Sequence, residues 1–508
     1  MLPRVLPVFN KFVPRWLRPW MFILTAFCFQ LSGTMYGGVM SHFMGEHCLM
    51  REDAMMITLC GVVGSNMPFP FLFRLKFRFT NQQLLMNAAI VIAVCNILYT
   101  FISCVPLLCI ISFIAGYFKI CGTFECMSSV QLWMTHKRDF TLFFPMLYSF
   151  VVGNMSLVPW MSLHLAYSYQ QWQMMNWLMA GIMALVALFY LTCTHPFRIM
   201  QKPIPFLGID YLGMLLWAAV LLEIIFLFNY GEFYNWWDGQ IFRKVCILLG
   251  VTLYLAVGRM RHVRHPYISP AAWGYRRLVP LLLLFAAMEL VNSTPKVLQN
   301  AYLGSILHYG PMQTDVIYLI EVLGTLAGCS FIVYWQKVLH LRYTRLLTIG
   351  AIALLTYELM LYFMITPGLD LASLYVPIWV RTFGIAIFFT VLTIYLHDLM
   401  HFEHFFMSLT IVGMIRTGVM STICSGIFSF SLRRQLAENL SRGLPYDTTQ
   451  AMLVSLKQLY GLASVLALVV LFAFLIWDLQ PVHRIRHKLP LWTVVGRFLQ
   501  MRETPSGK

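Results

Sequence analysis

The chain has 508 residues, of which 59% are apolar and only 11% charged, with a mean hydropathy of +0.72. Soluble domains hold roughly 45–50% apolar and about 25% charged residues, so lipid rather than water is the solvent for most of this chain. Its formal charge of +16 lies in short Lys and Arg clusters between apolar runs, not on a folded basic face, which excludes a nucleic-acid-binding domain.

Apolar stretches of about 20 residues recur along the chain. In hydrocarbon each must satisfy its own backbone polar groups, so these stretches are predicted to be helices. In order they cover 19–42, 54–73, 84–105, 107–134, 140–166, 172–194, 210–230, 241–259, 278–301, 315–336, 343–366, 372–397, 405–430 and 457–478, fourteen in all. The first follows "FNKFVPRWLRPW" and has no small-residue cleavage site after a short apolar core, so it reads as a span rather than a removable signal. Trp20, Trp160, Trp172, Trp236 and Trp237 fall near span ends, where interfacial belts form. The twelve cysteines are scattered through apolar runs without a C-x-x-C pair, which argues against disulfides and zinc ribbons.

Counting span-end residues with their loops, a cytoplasmic N-terminus puts 25 of the 36 Lys and Arg inside and 7 outside, with 4 within spans. That asymmetry places both termini in the cytoplasm. Two inside clusters stand out, "RLKFR" (74–78) and "RMRHVRH" through "GYRR" (259–277). They either anchor helices to the cytoplasmic face or latch helix ends together; Arg74, Lys76, Arg78 and Arg342 are the gating-loop candidates. The longest outside loop, 431–456, is expected to be a solvated connector or to carry a short amphipathic helix.

An internal repeat runs through this order. Arg, an aromatic and Thr recur at Arg78 and Arg342, 264 residues apart; a basic residue followed by glycine recurs at Lys119 with Gly122 and Arg381 with Gly384, 262 apart. A shared offset implies two homologous six-helix halves, 1–202 and 269–482, with a transmembrane hairpin inserted at 203–268 and a basic cytoplasmic tail at 483–508.

This plan, with several motifs, resembles the fourteen-span drug:proton antiporter family of the major facilitator superfamily, the EmrB-like exporters. "LSGTMYGGVM" (31–40) is similar to the family's L-D-x-T-I-V-N-V-A-L element, keeping Thr34 but with Ser32 in place of its Asp. "FPFLFRLKFRFTNQQLL" is similar to the loop motif G-x-L-a-D-R-x-G-R-K, without its Gly and Asp. Lys119 stands where the family has an Arg before a glycine, and Pro159 where G-P-x-x-G-G has its proline, though without the glycines. "WQMMN" (172–176) matches the Trp-rich start of span 6, and "GIDYLGMLL" with "YGEFYNWWDGQIF" matches the inserted hairpin, which opens with Asp-x-x-Gly and turns around a Trp. The resemblance implies the major facilitator fold, the inner membrane of a Gram-negative bacterium, and a periplasmic adaptor and outer-membrane channel as partners.

Ionisable side chains inside spans are costly and are functional candidates by default. They are Lys119, Glu125, Glu223, Glu289, Lys296, Glu321, Glu358, Arg381 and Arg416; each carries function or an internal ion pair, and Glu223, in the hairpin, reads as structural. Span 9 is the richest, with Glu289, Asn292, Ser293, Pro295 and Lys296 in "MELVNSTPKVLQNAY". Pro295 frees a carbonyl, as cavity-lining helices do. Seven residues put Glu289 and Lys296 on one face, but about 10 Å of rise leaves a direct pair unassured. With Gln30 and Thr34 of span 1, and Lys119 and Arg381, the polar residues Asn292, Ser293 and Lys296 are predicted to line a central cavity. Because Ser32 cannot carry a proton, Glu289 and then Glu125 are the proton-coupling candidates.

"HDLMHFEHFF" (397–406) reads as a polar turn rather than a metal site. The chain has no Walker loop, G-x-S-x-G or H-E-x-x-H, so ATP-driven and hydrolytic chemistry lack their usual residues and neither enzyme activity nor a cofactor is expected. The expected function is proton-coupled export of amphiphilic or aromatic small molecules, with membrane lipids as surroundings. A dedicated transporter of one metabolite and a membrane-embedded lipid-modifying transferase are the alternatives. Reporter fusions after residues 200, 310 and 500 should read inside, outside and inside; an outside signal at residue 500 overturns the scheme.

Overall fold

The computed structural model describes residues 8–11, 13–134, 140–197, 210–275, 277–336, 343–400, 402–441 and 448–476. Arg342 and the tail 483–508 lie outside them, as do parts of several predicted loops.

Hydrocarbon leaves the backbone one economical solution, and the described chain is helical, with one isolated bridge between Phe9 and Thr194. A first group comprises α1 (Arg18–Leu31), α2 (Met40–His47), α3 (Arg51–Asn66), α4 (Leu72–Arg78), α5 (Asn81–Phe101), α6 (Val105–Met134), α7 (Phe140–Tyr169) and α8 (Met174–Cys193). A hairpin of α9 (Tyr211–Tyr230) and α10 (Gln240–His262) follows, then a single turn, α11 (Pro270–Trp273). The last group comprises α12 (Leu278–Asn292), α13 (Asp315–Tyr334), α14 (Tyr343–Met364), α15 (Tyr375–Leu399), α16 (Phe402–Gly413), α17 (Ser421–Ser441) and α18 (Thr448–Ile476). Thirteen described stretches are long and apolar enough to cross a membrane.

The two groups pack in the same order. In the first, α6 receives α1, α3 and α5, and α5 packs on α8; in the last, α15 receives α12, α13 and α14, and α14 packs on α18. Corresponding helices also start at a common offset, since Arg18 and Leu278 are 260 residues apart and Asn81 and Tyr343 are 262. Between the groups, α7 lies along α13, and α3 meets the stretch Met414–Met420. Below, the face carrying α4 is the α4 face and the opposite one the α2 face.

Four departures from hydropathy matter for the site. The predicted span 19–42 is broken, its backbone turning extended at Ser32 (ψ 143°) before α2. Span 9 ends as α-helix at Asn292 and continues through wider π-helical turns at Pro295–Gln299 and Tyr302–Ile306. "RLKFR", expected in a loop, is helical as α4, and α5 restarts with a capping box in which Thr80 Oγ1 accepts from Gln83 N. Residues 431–441, expected as a connector or separate helix, continue α17.

Without a hydrophobic drive between helices in lipid, close packing relies on small residues. A Cβ on Gly64 would lie 2.1 Å from the Phe113 carbonyl oxygen, and one on Gly116 2.1 Å from that of Gly61, so α3 and α6 cross backbone to backbone. Gly324 and Gly328 likewise bring α13 close to α15, where an added Cβ would lie 2.7 Å from the Trp379 and Phe383 carbonyl oxygens. The hairpin's Asp-x-x-Gly opening has a similar reason: Asp210 Oδ1 accepts from Gly213 N at 2.9 Å and from Arg259 Nε at 2.6 Å, and a Cβ on Gly213 would collide with that carboxylate. α10 packs on α9 and turns Ile247, Val251 and Tyr254 outward.

Gly64→Ala should cost about 1–3 kcal/mol through overpacking, whereas Gly153→Ala meets nothing within 4 Å. Thermal unfolding in detergent should separate them, with Gly64→Ala lowered and Gly153→Ala unchanged; equal midpoints refute the close crossing.

Candidate functional site

The break in the first helix is a site built by α6. Lys119 Nζ donates to the Ser32 carbonyl at 2.9 Å, Gln30 Nε2 donates to Thr123 Oγ1 at 3.2 Å, and Thr34 Oγ1 and Ser112 Oγ share a hydrogen bond of 2.7 Å. Ser112, Lys119 and Thr123 are spaced seven and four residues apart, hence on one helical face. Asn176 Nδ2 of α8 donates to the Thr34 carbonyl at 2.9 Å, and Tyr36 OH donates to Asn96 Oδ1 at 2.9 Å. Gln30, Thr34 and Lys119 are therefore brought together against α6, and Lys119 binds the broken backbone directly. Gly38 packs against the Pro159 carbonyl, where an added Cβ would stand 2.1 Å away.

The corresponding break at the end of α12 follows from Pro295. An ordinary residue there would donate its N–H to the Val291 carbonyl. Here Val291 O takes a backbone N–H at the helix end, and Thr294 Oγ1 lies 3.0 Å from it and 2.6 Å from Glu358 Oε1. One hydroxyl proton cannot serve both acceptors, whereas a proton on Glu358 would supply the second bond. Ser293 Oγ donates to the Leu290 carbonyl, so this predicted cavity residue also serves backbone.

Beyond the break, Glu289 and Lys296 do meet, at 3.3 Å, because the lysine's long side chain folds back along the π-helical turn. Asn292 Nδ2 reaches Glu289 Oε2 at 3.4 Å, and Lys296 Nζ donates to Ser421 Oγ of α17 at 2.6 Å. The pair is asymmetric: Lys296 is 47% exposed and Glu289 4%. Arg381 pairs with Glu321 of α13, which also accepts from Ser156 Oγ of α7 and so ties the two groups together. The Arg381 guanidinium lies 5.7 Å from the Tyr357 ring centroid, and Tyr357 OH donates to Gln299 Oε1 at 2.9 Å. Sequence reasoning did not select Gln299, Tyr357 or Ser156; the polar tail of "PKVLQN" was the signal for the first.

Toward the α4 face the structure joins two residues that the sequence assigned to different tasks. Lys76, a gating candidate on α4, lies 3.4 Å from Glu125, the second coupling candidate on α6. Asn81 also donates to Glu125, and Lys76 to Ser128. Phe73 and Phe124 beside this pair pack on Phe406 of the last group, at 4.7 and 5.6 Å between ring centroids. Arg74 and Arg78 share α4 with Lys76. In the histidine cluster, His397 lies 3.3 Å from Asp398 and packs on Phe405, and His404 packs on Tyr275; His401 is outside the described residues. Among the described residues no three His, Cys, Asp or Glu side chains could hold a metal ion.

Lys76 and Glu125 are 7% and 1% exposed, so removing one partner strands a buried charge at about 3–5 kcal/mol. Lys76→Met and Glu125→Gln should each unfold at lower temperature than the double variant, which strands none. Single variants at least as stable as the double would mean that the pair does not hold α4.

No protein-family model and no curated protein matches the chain. Solved structures do match its fold. A mutant of the nucleoside transporter NupG aligns with TM-score 0.54 and 11% identity over 90% of this chain and 99% of its own. The human organic anion transporter MFSD10 (TETRAN) aligns with TM-score 0.52 and 10% identity over 91% of this chain and 100% of its own. The helix order, the paired packing and these likenesses identify the chain's architecture as the major facilitator fold.

Proposed function

We propose that the chain is a secondary active transporter that moves small amphiphilic or aromatic molecules by rocking two helix groups about a site inside the membrane. The observation that carries this reading is the pair of broken first helices. α1 and α12 end at Leu31 and Asn292, each beside a cluster of intramembrane polar side chains, the arrangement that discontinuous helices provide at transporter binding sites. The halves would be 1–202 and 269–482, the hairpin 203–268, and the α4 face cytoplasmic, in keeping with the basic residues at that end. The two solved proteins that share the fold are themselves transporters, one of nucleosides and one of organic anions.

Within this reading Glu289 is the proton-coupling group. Its partner Lys296 is nearly half exposed, so a solute could reach the ammonium while the carboxylate stays covered. Deprotonated Glu289 holds Lys296; protonation would release it, so proton and solute would each favour a different charge state of one site. Glu125, engaged by Lys76 near the α4 face, is better suited to holding that face closed than to carrying protons. Glu358, beside Thr294, is the other buried carboxyl at the break. Export across the inner membrane of a Gram-negative cell, with a periplasmic adaptor and an outer-membrane channel, completes the reading by resemblance to the EmrB-like exporters.

Proteoliposomes carrying a pH gradient provide the test. The parent protein should drive rhodamine 6G across the membrane. Glu289→Gln should fold normally and lose about tenfold or more of that rate, the equivalent of about 1.4 kcal/mol. A folded Glu289→Gln protein that transports at the parental rate removes Glu289 from coupling, and loss in Glu358→Gln instead transfers the role there.

A further inference from the structure

Four cations within the described spans have an answering group: Glu125 for Lys76, the Ser32 carbonyl for Lys119, Glu289 for Lys296 and Glu321 for Arg381. Arg416 does not. It is 7% exposed, its Nε lacks a hydrogen-bond partner, and among the described residues no carboxylate pairs with it. Its guanidinium carbon lies 4.0 Å from the Phe389 ring centroid on α15 and 5.9 Å from that of Tyr148 on α7. The stretch that carries it, Met414–Met420, is π-helical, a geometry concentrated at functional sites.

A cation at membrane depth is costly, and two ring faces offset only part of that cost. The rings leave the planar donor fork of the guanidinium unused, and that fork matches a carboxylate, sulfonate or phosphate. The two rings come from different helix groups. Tyr148 is fastened across the interface by its hydroxyl, 2.8 Å from Thr393 Oγ1 of α15. Separating α7 from α15 there would open one side of Arg416 while Phe389 stays beside it.

We propose that Arg416, with Phe389 and Tyr148, is a binding subsite for an organic anion that carries an aromatic ring. The anion's charge takes the donor fork and its ring packs against the aromatic walls, so that bound substrate supplies the counter-charge that the fold omits. Tyr148 is then both wall and lid, exchanging its contact with Arg416 for one with the ligand. This deepens the transport reading, on which it rests.

Fluorescence anisotropy with the purified protein in lipid nanodiscs tests it, using two dyes that share a xanthene ring system: anionic fluorescein and cationic rhodamine 6G. The parent should bind fluorescein the tighter by about tenfold, and Arg416→Gln should weaken fluorescein by about tenfold while leaving rhodamine 6G within about twofold. Equal affinity of the parent for both dyes, or unchanged discrimination in Arg416→Gln, overturns the subsite. Should Arg416→Gln fail to fold, Arg416→Lys decides, since it keeps the charge and loses the fork. Weaker fluorescein binding with unchanged rhodamine 6G supports the proposal, and equal weakening of both dyes makes Arg416 a packing strut and overturns it. Proteoliposomes that move rhodamine 6G while fluorescein binding ignores Arg416 overturn this subsite alone; proteoliposomes that move neither dye overturn the transport reading.

Discussion

A carbonyl released from a helix inside hydrocarbon has no water to turn to, and the architecture of this protein follows from how two such carbonyls are satisfied. Ser32 O is met by the amine of Lys119, and Val291 O, beside a backbone N–H at the helix end, by the hydroxyl of Thr294, which Glu358 shares. Each solution commits an ionisable side chain to the middle of a span. Around each, further polar residues collect because a half-satisfied network is worse than none: Gln30, Thr34, Asn96 and Asn176 on one side, Asn292, Gln299 and Tyr357 on the other.

The related positions have nevertheless taken different chemistry. Lys119 binds a neutral carbonyl, while Arg381, 262 residues later, binds the carboxylate of Glu321 and through it Ser156 of the other group. Lys119 binds within its own group; Arg381 also pairs within its group, with a carboxylate that in turn reaches across the interface to Ser156. His164 and Asp315 add a second link between α7 and α13, 2.8 Å long, nearer the α2 face. The aromatic contact of Phe73 and Phe124 with Phe406 lies toward the α4 face.

Hydropathy made the order of the helices readable, because length and apolarity alone mark a span. The break at Ser32 was hidden from it, since "SGTMY" is hardly more polar than its surroundings and the residue that stabilises the break, Lys119, is 87 positions away. Residues 431–441 read as a connector because hydropathy reports solvent rather than hydrogen bonding, and a helix can continue past the lipid on pairs such as Arg434 with Glu438. Lys76 and Glu125 were both noticed yet given separate roles, as nothing local links them. For Glu289 and Lys296, rise per residue alone underestimated a lysine's reach along a widened turn. Arg416 was visible as a charge in a span, but its lack of a carboxylate partner among the described residues is a property of space.

The hairpin sits outside both groups and yet bonds to each at the α2 face. Asn229 Nδ2 donates to the Glu52 carbonyl at 2.6 Å and Tyr230 OH to Asp53, both at the start of α3, while Arg433 of α17 pairs with Glu232 in the hairpin's turn. Its far end is fixed too, for Tyr267 joins the Asp210 cap to the Met67 carbonyl. The hairpin is thus a strap across one rim. If the two groups rock as proposed, that rim could part only as far as those side chains reach before a bond must break, so a hairpin outside both groups would set the limit of the stroke.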